Sequence, residues 1–241
     1  MKEHVILASE SWCDNKEGGR TRCLQHDVQA FYHDDYIGGG GRWRERGTIE
    51  NLICTFKNDI TRYPTSILQE AINGFAKILL EDMPKVLERI GLDWIRVCVV
   101  PRAKKEDSFR DDQKLFRQTI KWFAIKFPKF EDGTMDIIRH TDTKTTHLSH
   151  RNTDGGGSGK MPYKGITLET CEISSNIAGK DILLIDDLYT RSVGIDEDCI
   201  QALYDKGANK VFFYSIGKTV YRRLSSPATP NIFNNNNPII L

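Results

Sequence analysis

The sequence lacks a long hydrophobic run, a secretion signal and a cysteine framework. No stretch of the 241 residues approaches the ~20 consecutive apolar residues that a membrane-spanning helix needs. The first residues, MKEH, lead into only a short apolar run, which is unlike a signal peptide. The six cysteines show none of the spacings that are typical of disulfide frameworks. We therefore expect a cytoplasmic protein with reduced thiols and no membrane contact.

An excess of charge of either sign is also missing. The chain has 34 Lys and Arg residues against 33 Asp and Glu residues, which gives a formal net charge of +1. Proteins that wrap nucleic acid usually carry a strong positive charge, so a nucleic-acid partner is not expected. The chain does have 39% apolar and 10% aromatic residues, enough to fill a sizeable core.

The most informative stretch is DILLIDDLYTRSVG, residues 181–194. Its four aliphatic residues, 182–185, run directly into Asp186 and Asp187. A short apolar run bounded by polar residues is typical of a strand that is buried on both faces. The two acids are then at the carboxyl end of a central strand, the edge at which open α/β sheets bind their ligands.

The neighbouring patterns predict an α/β protein with a mainly parallel twisted sheet flanked by helices. A helical pattern over 195–206 and an apolar run over 211–216 complete a parallel βαβ unit. Earlier, a strand pattern over 95–100 ends in the basic turn 101–105 and precedes a helical pattern over 109–127. We further expect helices over 49–63 and 65–91, the latter broken at Pro84, and strands over 5–7, 135–139 and 166–173.

Composition divides the chain into three parts. Residues 1–65 are polar and glycine-rich in places and are expected to form a variable N-terminal hood. Residues 66–224 are expected to form the core, and residues 225–241, rich in Pro, Ser and Asn, a flexible tail. Within the core, the long polar segment 141–164 predicts a lid or a binding loop.

The residues around the acid pair suit a sugar phosphate. Two adjacent carboxylates can accept hydrogen bonds from the hydroxyls of a ribose or hold Mg²⁺. The loop 188–194 opens a helix, and backbone N–H groups at a helix N-terminus bind phosphate. Thr190 and Ser192 add hydroxyls there, and Arg191 adds a cation. Together these groups match a ribose 5-phosphate.

ILLIDDLYTRSVG resembles the phosphoribosyl diphosphate (PRPP) signature of type I phosphoribosyltransferases. VCVVPRAKK is similar to the strand and pyrophosphate-binding loop of these enzymes. Residues 137–151 resemble the region before and within the flexible loop of the competence-associated ComF-like subgroup. The resemblance implies a type I phosphoribosyltransferase fold. It also implies a Mg²⁺-dependent enzyme that transfers phosphoribosyl between pyrophosphate and a nitrogenous base or nucleotide.

The resemblance also implies a role for each site residue. Asp186 and Asp187 would bind the ribose hydroxyls and the metal, and the 5-phosphate would be bound by Thr190, Arg191, Ser192, Val193 and Gly194. Pyrophosphate would be bound by Arg102, Ala103 and Lys104. Arg151, with His147 or Lys160, would reach the site from the lid. The family usually has Gly in place of Ser192 and Ser or Thr in place of Gly194. Purine salvage enzymes carry an Asp where Thr190 stands, so a purine acceptor is not predicted.

The wider family includes toxins of bacterial toxin–antitoxin and phage-defence systems, which the N-terminal region and lid resemble. This implies a toxin that acts on nucleotide pools, with a cognate antitoxin and a second copy of the chain as partners. Two other functions stay open. One is a non-catalytic PRPP or nucleotide sensor that controls a partner protein, and the other is a nucleic-acid-binding regulator, which the near-zero net charge disfavours.

Other motifs carry weaker signals. Cys13, Cys23, His26 and His33 could bind zinc, but their spacing fits no zinc-binding pattern. Paired acids after a strand also occur in response regulators and in Walker-B-like sites. The apolar run before the acids and the βαβ context favour the PRPP interpretation.

Overall fold

A six-stranded, mostly parallel sheet flanked by helices forms the centre of the molecule. The structure is a computed structural model that describes residues 1–14, 19–39, 41–59, 61–145 and 163–220. The predicted α/β class with a mainly parallel sheet is confirmed. No helix in these ranges is long and apolar enough to span a membrane.

The described residues form ten strands and five α-helices. The strands are β1 (Lys2–Ile6), β2 (Trp12–Asp14), β3 (Arg20–Arg22), β4 (Val28–Tyr36), β5 (Ile95–Val99), β6 (Phe130–Asp132), β7 (Ile137–Arg139), β8 (Cys171–Ile173), β9 (Asp181–Tyr189) and β10 (Lys210–Thr219). The helices are α1 (Ile49–Lys57), α2 (Thr65–Ile90), α3 (Leu115–Lys126), α4 (Ile166–Thr170) and α5 (Ile195–Asp205).

Strand β9 extends past the end of its neighbour β5. The sheet runs β1-β4-β10-β9-β5-β6, and every pair of neighbours is parallel except β1 and β4. The ladder between β5 and β9 ends where Val99 faces Ile185, whereas β9 continues beside β10 as far as Tyr189. The two acids that follow Ile185 therefore border the turn after β5.

The aliphatic run of β9 is buried on both faces, as predicted. Leu183 and Ile185 pack into the core beneath α2 and α3, and Ile182 and Leu184 pack into the core beneath α5. All four side chains are inaccessible to solvent. Burying each contributes about 1.5–3 kcal/mol, so the strand that carries the acid pair is firmly fixed.

Helix α2 runs unbroken through Pro84 for 26 residues, and the predicted break there is wrong. Met83 and Val86, on either side of the proline, are fully buried against the sheet. This burial outweighs the cost of the missing proline N–H. The predicted stop at Gly91 is confirmed, because its φ of 68° places it in the left-handed region that favours glycine.

Two other elements differ from expectation. Helix α1 ends at Lys57 instead of continuing to residue 63, because Asn58 adopts a left-handed conformation with φ 43°. The strand predicted over 166–173 is wrong in its first half, which forms α4. Only β8 is extended, and it pairs with β7 in a separate two-stranded sheet.

The first 36 residues contribute two strands to the main sheet. Strand β4 lies parallel to β10, and β1 pairs with β4 at the sheet edge. The short strand predicted over 5–7 overlaps the end of β1, whereas β4 was not predicted. The pattern VQAFYHDDY mixes buried and half-buried positions without strict alternation, so it carries little periodic signal.

Two cysteines of the N-terminal region lie side by side. Cys13 of β2 and Cys23, just after β3, have Cα atoms 5.7 Å apart, a separation that a disulfide can span. Cys54, Cys98, Cys171 and Cys199 are free thiols. Of the four residues considered for zinc, His33 forms a hydrogen bond with Asp82 of α2.

Candidate active site at the end of the central strand

The ends of β5 and β9 enclose a cleft of about 380 Å³. Two separate stretches of sequence meet there, because the two strands are parallel neighbours. The predicted site residues that line it are Asp186, Asp187, Thr190, Ser192, Val193, Arg102, Ala103 and Lys104. Arg151, His147 and Lys160 lie outside the described residues.

Asp187 forms an ion pair with Lys57, a residue that is not among the site residues predicted from the sequence. The Lys57 Nζ lies 3.0 Å from a carboxylate oxygen of Asp187. Burial lowers the pKa of Lys57, but the negative charges of Asp187 and Asp186 outweigh burial and raise it. Lys57 is the last residue of α1, and a lone lysine at a helix end gives no sequence signal for a site.

Asp186 lies close to the buried carboxyl group of Asp196, in the first turn of α5. Burial and then the charge of Asp187 raise the pKa of Asp186 to about 7. Burial and then Asp186 raise the pKa of Asp196 well above its ordinary value. Burial and mutual repulsion therefore disfavour the fully ionised form of this pair of carboxyl groups.

The oxygen atoms of the cleft suit a Mg²⁺ ion that is held by carboxylates on one side and by the phosphate oxygens of a bound ligand on the other. Asp186 and Asp187 offer carboxylate oxygens, and a buried oxygen of Asp196 has no hydrogen-bond partner among the described residues. No group of three metal-binding side chains occurs in the described ranges. Mg²⁺ commonly takes one or two carboxylates and completes its shell with water and phosphate oxygens.

The loop after β9 makes a tight turn before α5. The Val193 N–H donates to the Thr190 carbonyl at 3.0 Å, and the Thr190 hydroxyl lies 2.7 Å from that of Thr219. Gly194 starts α5 with φ 74°, and a Cβ there would lie 3.0 Å from the Cys13 sulfur. Glycine at this position thus follows from backbone conformation and close packing.

Arg191 and Gly194 are not among the residues that line the cleft. The Arg191 side chain is 64% exposed and forms an ion pair with Glu10 at 2.9 Å. The expectation that Arg191 supplies a cation for the 5-phosphate is therefore not met by its position in this structure.

The first turn of α5 carries three buried acids, Asp196, Glu197 and Asp198. The Tyr189 hydroxyl donates to Glu197 at 2.9 Å, which accounts for a bulky residue at position 189. Asp198 accepts the N–H of Thr167 at 2.8 Å and so caps α4. Burial raises the pKa of Glu197 and of Asp198, which reduces their repulsion of an anion at this helix end.

Arg102 connects the basic turn to the end of α1. Its guanidinium donates to the Lys57 carbonyl at 2.7 Å and to the Gln113 carbonyl at 3.0 Å, and it pairs with Asp59. It also lies 4.5 Å from the centre of the Phe109 ring. Arg102 therefore holds α1 in the position from which Lys57 reaches Asp187.

Further cations line the cleft beside the basic turn. Arg139 is almost fully buried and donates to the Arg102 carbonyl at 2.6 Å. The Thr143 N–H donates to the Ala103 carbonyl at 2.7 Å, which brings Lys144 to the cleft. In the sequence, Lys144 lies within the predicted polar lid 141–164 and carries no signal of a role.

Comparison of the chain with known proteins identifies no family. No protein-family model matches the chain, and no curated protein matches it at a significant level. The functional interpretation therefore depends on the residues that the ends of β5 and β9 bring together.

Proposed function

We propose that the protein is a phosphoribosyltransferase-like enzyme with a type I phosphoribosyltransferase fold. It binds PRPP or ribose 5-phosphate with Mg²⁺ and transfers phosphoribosyl between pyrophosphate and a nitrogenous base or nucleotide. The observation that carries this proposal is the meeting of Asp186, Asp187 and the loop 190–193 with the basic turn after β5 in one cleft. Sheets with parallel strands bind their ligands at this edge.

Each part of PRPP has a matching group in the cleft. The carboxylates of Asp186 and Asp187 accept hydrogen bonds from the ribose hydroxyls. The turn 190–193 lines the cleft and offers hydroxyl groups to the 5-phosphate. Lys57, Lys104 and Lys144 line the same cleft and supply positive charge for the pyrophosphate.

The chemistry is a displacement at C1 of the ribose. The bond from C1 to the pyrophosphate oxygen breaks, and pyrophosphate leaves with the electron pair. A nitrogen of the acceptor forms the new bond to C1 and loses its proton to solvent or to a carboxylate. Mg²⁺, when bound, neutralises part of the charge on pyrophosphate. The lysines of the cleft stabilise the remaining negative charge that develops in the transition state.

A role in bacterial defence is part of the proposal. An enzyme of this class would act as a toxin by draining PRPP or by altering nucleotide pools, and a cognate antitoxin would restrain it. The protein would work in the cytoplasm, where PRPP is available.

A non-catalytic PRPP sensor is the second candidate, and the Lys57–Asp187 ion pair favours it. Ribose hydroxyls that bind Asp187 would compete with Lys57, which lies at the end of α1. Ligand binding could therefore move α1 without any turnover.

Mass spectrometry after incubation with PRPP, Mg²⁺ and a panel of bases and nucleotides tests the enzyme directly. We expect PRPP to be consumed and a phosphoribosylated product to form. The variant with Asp186→Asn and Asp187→Asn should form none, whereas Lys85→Met, on the exposed face of α2, should match the wild type. Mg²⁺-dependent binding with unchanged PRPP would support the sensor instead. Absence of both binding and consumption would rule out both candidates.

A further inference from the structure

A second cleft has a volume of about 640 Å³, which is larger than that of the cleft at the acid pair. It lies between the loop 42–48, α1 and α2, and we call it the Trp43 cleft. It has no lining residue in common with the cleft at the acid pair. The proposed phosphoribosyl chemistry therefore makes no use of it.

One wall of the Trp43 cleft is fixed by hydrogen bonds to α1. The Thr48 hydroxyl lies 2.8 Å from the Glu45 carbonyl and 3.0 Å from the Arg42 carbonyl. The Asn51 side-chain amide donates to the Trp43 carbonyl at 2.7 Å. These contacts hold the backbone of the loop in one conformation, so the indole of Trp43 is presented at a defined position.

This ordered wall presents an aromatic ring and two cations to solvent. The Trp43 side chain is 41% exposed, and the Arg44 guanidinium lies 4.6 Å from the centre of the indole. Arg46 also lines the cleft, with only a long contact of 3.8 Å to the exposed Glu70. Exposed indole surface is unfavourable in water, and a flat ligand would recover that free energy.

The floor of the cleft is apolar. It is formed by Ile49, Leu52, Ile67, Ala71 and Ile78 of α1 and α2. Gly74, in the middle of α2, keeps the floor open, because a Cβ there would meet only Leu52 at 4.0 Å. An apolar floor with an aromatic wall and guanidinium groups at the rim fits a planar aromatic ring that carries an anionic group.

We propose that the Trp43 cleft is a second ligand site that binds a nucleoside monophosphate. The base packs against Trp43 and the apolar floor, and the phosphate pairs with Arg44 and Arg46, whose guanidinium groups suit bidentate contacts with phosphate oxygens. A cleft of this volume is in the usual range for small-molecule sites, about 300–1,000 Å³.

Isothermal titration calorimetry of the full chain with AMP and with UMP, without Mg²⁺ or PRPP, tests the proposal. We expect saturable binding of at least one of the two. Trp43→Ala and the double variant Arg44→Gln with Arg46→Gln should each weaken binding at least tenfold. Trp94→Ala is the matched control and should leave binding unchanged, because Trp94 is another exposed indole (49%) with a cation, that of Lys180, 5.0 Å from its centre.

The variant with Asp186→Asn and Asp187→Asn separates the two clefts and should bind the nucleotide as the wild type does. Loss of binding in that variant, with binding retained in Trp43→Ala, would place the nucleotide in the acid-pair cleft and overturn the proposal. No binding of either nucleotide at millimolar concentration would also overturn it. Oligonucleotides provide a further test. Affinity that increases with oligonucleotide length and decreases with salt concentration is typical of a nucleic-acid-binding surface, and this result would also overturn the proposal. If Trp43→Ala fails to fold, the double arginine variant decides the outcome.

Discussion

Lys57 is the residue on which the charge balance of the candidate site depends most. Its ammonium group is 3.0 Å from Asp187 and faces a cleft that contains two further acids, Asp186 and Asp196. Arg102 fixes the backbone at Lys57 through its carbonyl. A cation held in this way provides positive charge for an anionic ligand in the cleft.

Lys57→Met should therefore weaken PRPP binding. We expect at least a tenfold increase in Kd, equivalent to about 1.4 kcal/mol, because one cation is lost and Asp187 is left without a partner. Titration calorimetry with PRPP and Mg²⁺ measures the change, with Lys85→Met as the control. Unchanged affinity in Lys57→Met would show that Lys57 does not face the ligand.

Asp82 has a structural role inside the core. It is fully buried in α2 and accepts hydrogen bonds from the Tyr214 hydroxyl at 2.8 Å and from His33 at 2.9 Å. Burial disfavours the ionised carboxyl group, but the hydrogen bonds from His33 and Tyr214 outweigh burial and lower the pKa of Asp82. The ionised form thus stabilises the folded state.

Asp82→Asn should lower the free energy of unfolding at pH 7 by about 2–4 kcal/mol, because a buried charged hydrogen-bond network is broken. A carboxyl group with a lowered pKa stabilises the fold above its unfolded pKa, near 3.8. That contribution is lost as the pH falls through the lower folded pKa. The difference between variant and wild type should therefore shrink below pH 4.

Urea denaturation at pH 7 and pH 3 measures this difference. Glu81→Gln, a change at the adjacent exposed residue of α2, is the control and should alter stability by less than about 0.5 kcal/mol. A difference between Asp82→Asn and wild type that grows at pH 3 would contradict the account.

At the scale of elements, α1 packs closely on β10 at a glycine. A Cβ on Gly217 would lie 2.9 Å from Ile53 Cδ1 and 3.2 Å from Ile49 Cγ2, both on α1. The missing side chain lets α1 approach the sheet, and this approach brings Lys57 within reach of β9. The position of the helix and the electrostatics of the site are thus linked.

Gly217→Ala should push α1 away from the sheet. Overpacking of this kind costs about 1–3 kcal/mol, and we expect PRPP binding to weaken as well because Lys57 moves with the helix. Thermal denaturation and calorimetry measure the two effects. Gly38→Ala, where a Cβ meets nothing within 4 Å, should change neither. Equal effects of both substitutions would contradict the proposed packing role.

The elements with a strong periodic or apolar signal could be predicted from the sequence. Strand β9 and helix α5 were predicted because an aliphatic run and a helical stripe have distinct patterns. Strand β4 was not, because its pairing with β10 depends on residues far apart in the chain. The continuity of α2 through Pro84 likewise depends on tertiary packing, which overrides the local preference of proline.

At the scale of the whole molecule, the parallel pairing of β5 with β9 explains how much of the site could be foreseen. The basic turn follows the end of β5, and the acid pair lies where β9 extends past that end. The sequence predicted both at the ends of strands, the edge at which open α/β sheets bind ligands. Lys57 and Asp196 were missed because they enter the cleft through the packing of α1 and through the first turn of α5. Those placements follow from the three-dimensional fold and leave no local motif.

The most direct test of the central claim is the binding of PRPP to the full chain, measured by titration calorimetry with and without Mg²⁺. We expect saturable, Mg²⁺-dependent binding to the wild type and at least a hundredfold weaker binding to the variant with Asp186→Asn and Asp187→Asn. Circular dichroism should show that this variant is folded. Binding of equal strength in the variant, or no binding to the wild type, would contradict the assignment of the cleft as a phosphoribosyl site.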